Sequence, residues 1–342
     1  MKFGIFDHMD RAAVSLSRQY AERLELIEAY ERAGFHAYHL AEHHSTPLGM
    51  APSPSVFLAC VAQRTTRLRF GPLVYQLSLY HPIRLYEEIC MLDHLSNGRL
   101  ELGVGRGVSP HELAYYGTDP DEAQARYFET YAILMQMFAG KTLSYDGKFH
   151  RFKDTPIEIE PVQRPHPPLW YGAVNADGAA WAAKNAVNIV CNVPAPAIRP
   201  ISERYLAEWT AAGRNLAELP LIAMNRYIVV ADSDQAAIML GRRAYQCWHA
   251  SFYRLFELHG TRPHNAAYPQ TFDLAQAQGY AVAGTPDTVR EALAAQIKQA
   301  GINYLVCRFA FGDLTLIEAR DSLNLFARHV MPALAGRHQA AE

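Results

Sequence analysis

The chain has 342 residues, 50% hydrophobic and 19% charged, with 32 Lys and Arg against 34 Asp and Glu for a formal net charge of −2. That balance argues against a basic surface for polyanions, and nucleic acid is not expected as a partner. Asp7 interrupts the first apolar stretch too early for a signal h-region, and no apolar run reaches the 18 or so residues of a membrane span, so a cytoplasmic protein is expected.

The cysteines, Cys60, Cys90, Cys191, Cys247 and Cys307, are scattered with no Cys-x-x-Cys pair, which predicts reduced, buried thiols. Barrels of alternating strands and helices run to about 250 residues or more as one domain, so a single elaborated domain over 1–342 is expected.

In chain order, short β-rich runs begin near Phe3, Ala37, Leu68 and Leu100, roughly 30 to 35 residues apart, the size of one βα unit. The first helix, about Arg18 to Ala33, carries Tyr20, Leu24, Ile27 and Tyr30 at helical spacing, and Gly34 can close it. Ser53-Pro54 opens a second helix, and a third opens at Pro82 and stops before Asn97-Gly98.

The register then breaks. Pro110 to Pro168 reads as an insertion holding a helix from Asp121 to Phe138 and a hairpin over Leu143–Phe149 with an Asp146-Gly147 turn. Further strands are predicted at Leu169–Gly172, Asn188–Cys191, Leu221–Val230 and Tyr304–Arg308, and a late helix from Thr285-Pro286 to Gly301. The stretch 252–280, with Gly260, Pro263, Asn265 and Pro269, is poor in periodicity and too long for an ordinary connection, which predicts a mobile lid. Long crossovers between strands argue for an α/β fold of the (β/α)8 TIM-barrel type, with a doubly wound sheet as the alternative.

Such barrels build active sites at strand carboxyl ends. There Glu42-His43-His44-Ser45 follows the short apolar run Ala37–Ala41, and an unperturbed imidazole titrates near pH 6.5, where acid–base chemistry is done. His44 can equally be read as a hydrogen-bonded loop residue. His39-Leu-Ala-Glu42-His43 also fits the H-x-x-E-H pattern of zinc peptidases, but that pattern needs a helix, and Phe35-His36-Ala37-Tyr38 favours a strand; no metal is expected.

Met1-Lys-Phe-Gly4, Ala41-Glu-His-His44, Leu92-Asp-His-Leu-Ser-Asn-Gly98-Arg99 and Gly103-Val-Gly-Arg106-Gly107 resemble the luciferase-like flavin-dependent monooxygenases. So do Pro161–Pro168, Gly284-Thr-Pro286 and Ser322–Pro332, so the resemblance spans nearly the whole chain. It implies a two-component enzyme in which reduced FMN, delivered by a separate flavin reductase, reacts with dioxygen at carbon 4a to give a hydroperoxide that oxygenates a small organic substrate. It assigns acid–base work to His43 and its neighbour His44, and flavin contacts to Leu73, Val74, Gly105, Arg106, Asn175, Ala176 and Gly178. Arg106 would meet the phosphate, Asn175, Ala176 and Gly178 would form its loop and helix start, and Leu73-Val74 would carry a cis peptide bond under the ring. Without the resemblance, Arg106 reads as a solvated turn residue and Asn175 as a helix cap. Where the luciferase α subunit has a reactive cysteine this chain has Gly105, so light emission does not carry over. A homodimer is expected. A deazaflavin-dependent hydride-transfer enzyme of the same superfamily and a non-catalytic flavin-binding protein are the alternatives.

Overall fold

Each strand of the central sheet is a short apolar run, and each return to the next strand is long enough for a helix, which forces parallel pairing. The computed structural model describes residues 1–263 and 267–336. Strand β1 (Lys2–Asp7) is followed by α1 (Leu16–Arg32), β2 (Ala37–Leu40), α2 (Pro54–Arg64), β3 (Arg69–Pro72), β4 (Tyr75–Gln76), α3 (Pro82–Leu95) and β5 (Leu102–Gly105). Helices α4 (Pro110–Tyr115) and α5 (Ala123–Ala139) and the antiparallel pair β6 (Thr142–Asp146) and β7 (Arg151–Pro156) form the insertion. Then come β8 (Leu169–Gly172), α6 (Ala176–Lys184), β9 (Asn188–Cys191), α7 (Ala195–Ala211), β10 (Ile222–Val230), α8 (Asp234–Leu258), α9 (Phe272–Ala277), β11 (Ala281–Gly284), α10 (Pro286–Ala300), β12 (Tyr304–Arg308), α11 (Leu316–Leu325) and α12 (Met331–Ala335).

The strand order β3-β2-β1-β12-β10-β9-β8-β5-β4 is parallel throughout. It closes where Phe70 bridges Leu100 and the Glu101 N–H donates to the Phe70 carbonyl at 2.8 Å. Strands β3 and β4 are two halves of one barrel strand, interrupted at Leu73-Val74. The result is a (β/α)8 TIM barrel, as the alternation of elements predicts. Side chains alternating inward fill it: Trp170 Nε1 donates to Glu101 Oε2 at 2.6 Å, Glu101 also pairs with Arg69, and Phe6, Ala41, Leu73, Ala223, Tyr304 and Val306 pack above and around them.

The punctuation residues act as their chemistry dictates. Pro54, Pro82 and Pro286 each occupy a first helical turn, and Gly301 closes α10 at φ 66°, a left-handed conformation that suits glycine.

Four expectations need correction. Strand β11 was not predicted; it pairs with the distal half of β10, Tyr227–Val230, and its small residues Ala281, Ala283 and Gly284 give little β signal. The hairpin turn is longer than an Asp-Gly pair, since Asp146 pairs with Arg151 and the Gly147 N–H bonds the His150 carbonyl across the loop. Residues 252–258 of the expected lid continue α8, because Trp248, Phe252, Leu255 and Phe256 extend one buried helical stripe; residues 272–277 form α9, and Asn265 lies outside the described residues. Finally, Cys60 and Cys247 are exposed, while Cys90, Cys191 and Cys307 are buried thiols.

Candidate active site

At the carboxyl ends of the strands a cavity of about 560 Å³ opens, of a size common for small-molecule sites. One wall is Phe6 from β1 with Glu42 and His43 from the loop after β2. Leu73, Val74 and Gln76 line another side, beside Gly105, Arg106 and Gly107 from the neighbouring β5 and the loop after it, and Gly172 and Gly178 complete the lining.

His43 is buried, and its Nδ1 stands 3.1 Å from Glu112 Oε1 on α4. Burial alone pulls the imidazole's pKa down, but Glu112, with Glu42 and Asp10 behind it, outweighs burial and holds it above its ordinary value. Burial in turn pushes the Glu112 carboxyl up, yet His43, the Gln76 amide and the His44 N–H bring it below the usual carboxylate range. Each partner thus favours the charged form of the other. Glu112 is fully used: its Oε2 accepts from the His44 N–H at 3.0 Å and from Gln76 Nε2 at 3.1 Å. That leaves His43 Nε2 as the ring atom that can serve a ligand.

His44 is placed differently. Its Nε2 stands 2.7 Å from Glu42 Oε1, its Nδ1 2.8 Å from the Tyr116 hydroxyl, and it does not line the cavity. Its ring thus holds Glu42, whose other oxygen accepts the Gln76 N–H at 2.9 Å. Burial pushes the Glu42 carboxyl up, despite the bonds from His44 and Gln76.

The rim after β5 is built for close approach. A Cβ on Gly105 would meet Val74 Cγ2 at 2.5 Å, and one on Gly107, at φ 95°, would meet Gln76 Oε1 at 2.3 Å. The Leu73-Val74 peptide is cis. Gln76 Oε1 is buried without a partner among the described residues, and a ligand in the cavity can supply one. Arg106 is exposed at the cavity edge and forms no ion pair with a described residue; its Nε reaches only the neighbouring Gly107 carbonyl, at 3.4 Å.

Helix α6 begins beside it. Asn175 is its N-cap, with Oδ1 accepting the Gly178 N–H at 2.9 Å, so the amides left for an anion at that helix start are those of Ala176 and Asp177. The slot, the glycines, the free guanidinium and the helix start fit a planar flavin with a phosphate tail.

Of the residues singled out from sequence, His43, Leu73, Val74, Gly105, Arg106 and Gly178 line one cavity; Asn175 and Ala176 lie at its border, and His44 lies behind Glu42. Glu112 and Gln76 were missed. Glu112 follows Ser109-Pro110, a legible helix start, but only the packing of α4 against the β2 loop brings its carboxylate to His43. His39 and His43 lie on β2 and the loop after it rather than on a helix, and among the described residues no group of three or more metal-ligating side chains is arranged to hold an ion. No helix among the described residues is long and apolar enough to cross a membrane.

The chain is 47% identical over 316 residues to the uncharacterized protein y4wF of Sinorhizobium fredii, covering 92% of each. It is 30% identical over 249 residues to the oxygenase component of the flavin-dependent trigonelline monooxygenase of Acinetobacter baylyi, covering 69% of this chain and 67% of that protein. The monooxygenase RslO1 of Streptomyces bottropensis superposes with a TM-score of 0.86 at 28% identity, covering 97% of this chain and 99% of that one. The profile described as luciferase-like monooxygenase matches residues 1–304. With that match over most of its length, the chain belongs to the luciferase-like monooxygenases, flavin-dependent oxidoreductases.

Proposed function

We propose that this protein uses reduced FMN and dioxygen to oxygenate a small organic substrate. The observation that carries the reading is the cavity itself, lined by a buried imidazole, His43, that Glu112 holds toward its charged form, and by a glycine rim carrying Arg106, a guanidinium without an ion-pair partner among the described residues.

Arg106 and the start of α6 would hold the phosphate, while Leu73, Val74 and Gly105 would flank the ring. Bound reduced FMN would supply two electrons and the carbon at which dioxygen is activated. His43 Nε2 donates a proton into the cavity, and Glu112 keeps it charged and fixes the ring through Nδ1. His44 acts indirectly by fixing Glu42, and so the β2 loop.

A separate reductase delivers the flavin, in line with the oxygenase-component name of the Acinetobacter relative. The protein acts in the cytoplasm as a homodimer; exposed Val56 on α2 and Met91 and Leu95 on α3 support self-association.

Anaerobic titration with reduced FMN, oxidised FMN and a reduced 8-hydroxy-5-deazaflavin tests the cofactor. Preference for reduced FMN supports the reading, and preference for the deazaflavin moves the protein to hydride transfer. His43→Ala is expected to keep flavin affinity and lose oxygenation, and unchanged turnover in that variant would remove its assigned role.

A further inference from the structure

The cavity lining includes an aromatic group that has no part in the roles above: Tyr127 and Phe128 from α5, Tyr171 from β8 and Trp181 from α6. The group gathers beside the start of α6. A Cβ on Gly178, in the first turn of that helix, would meet the Tyr171 ring at 3.1 Å, and Trp181 follows Gly178 by three residues, on the same helix face. Trp181 meets Tyr171 edge-on at 5.5 Å between centroids. Tyr131 joins the two helices, since its ring lies 6.1 Å from Trp181 and 6.3 Å from Tyr127, and Tyr127 lies 5.3 Å from Phe128.

The buried members fix the set, and the others have little cover. Tyr127 is buried, whereas Phe128 is 60% exposed, Trp181 is 37% exposed, and Val174, just before the Asn175 cap, is 73% exposed. Single exposed apolar side chains need no explanation, but three gathered on the lining of one cavity mark a place where something binds. A stable protein interface takes roughly 20 to 30 residues a side, so a patch of three side chains suits a ring better than a protein face.

The polar groups beside the patch narrow the choice. Arg106 has no ion-pair partner among the described residues, and the Ala176 and Asp177 amides head α6, so an anion is favoured there. That anion subsite is open outward, because Arg106, Val174, Asn175 and Asp177 are all exposed. A phosphate held there can carry a substituent on its solvent side, and the first surface such a substituent meets is aromatic.

We propose that the patch takes the adenine of FAD, with the adenosyl phosphate leaving the anion subsite and folding over Phe128 and Trp181, so that the protein accepts reduced FAD as well as reduced FMN. The inference rests on the monooxygenase reading for the place of the flavin. Phe128 and Trp181 are specificity residues: each offers the flat apolar face on which a base stacks, and neither is needed for a flavin that ends at one phosphate.

Anaerobic equilibrium titrations of the whole protein with reduced FMN and reduced FAD test it. The parent should bind reduced FAD about fivefold or more tightly than reduced FMN, the scale of one base stacked on an aromatic side chain. Phe128→Ala should remove that preference while its FMN affinity and melting temperature stay as in the parent, and Phe128→Tyr should keep the preference. FAD bound no more tightly than FMN by the parent, or a preference that survives Phe128→Ala and Trp181→Ala alike, overturns the assignment and gives the patch to another occupant. If Trp181→Ala does not fold, Phe128→Ala with Phe128→Tyr decides the matter. In each of those failures FMN still binds, so the monooxygenase reading stands; a parent that binds neither reduced flavin overturns both.

Discussion

Replacing Glu112 by Gln removes one charge from the His43 pair and leaves its shape. In the parent, burial lowers the imidazole's pKa and Glu112 more than restores it across a 3.1 Å contact. A charge-assisted hydrogen bond is worth about 1.5 to 3 kcal/mol, and losing it should lower the pKa of His43 in Glu112→Gln. Burial then dominates, and the neutral ring is favoured. If protonated His43 is the donor, the alkaline limb of the pH–rate profile moves to lower pH.

Stability follows with its own signs. The raised His43 contributes stability that is full below its unfolded value of 6.5 and is lost as pH rises through its folded value. The lowered Glu112 contributes stability that is full above its unfolded value of 4.5 and is lost as pH falls through its folded value. The parent's advantage over Glu112→Gln should therefore peak between 4.5 and 6.5 and fade on both sides. Rapid-mixing kinetics of bound reduced FMN with dioxygen across pH reads the first effect, and thermal melts across pH read the second. An alkaline limb that stays in place in Glu112→Gln refutes the argument that Glu112 sets the charge of His43.

Two further substitutions test the flavin rim. Arg106→Ala should weaken FMN binding by about 1.5 to 3 kcal/mol, roughly ten- to a hundredfold, with little change in melting temperature because Arg106 is exposed and forms no ion pair with a described residue; equilibrium titration measures it. Gly105→Ala places a methyl 2.5 Å from Val74 Cγ2, so Val74, which lines the same cavity, must shift; overpacking of this kind costs about 1 to 3 kcal/mol, and a melt together with an FMN titration should register losses of stability and of affinity.

The barrel is legible in the chain because its strands are short apolar runs bounded by Gly and Pro, and its helices are opened by Ser53-Pro54, Pro82 and Thr285-Pro286. His43 and Arg106 are legible because they follow strands directly. Strand β11 was not, since Ala281-Val-Ala-Gly284 owes its conformation to the edge of β10 rather than to its own propensity. Glu112 needed the structure for a different reason. A carboxylate on a short helix looks like a surface residue in a sequence, and only the turn of α4 buries it. His44 shows the reverse, since it looks equivalent to His43 but is one residue out of phase, which turns its ring to Glu42 and Tyr116.

The most direct test of the account is to bind reduced FMN without oxygen and then mix rapidly with dioxygen while recording the flavin spectrum, in the parent and in His43→Ala. The account predicts a flavin–oxygen species that persists in the parent and decays faster in the variant. Immediate conversion to oxidised flavin in both proteins, at the rate of free reduced FMN, would contradict it.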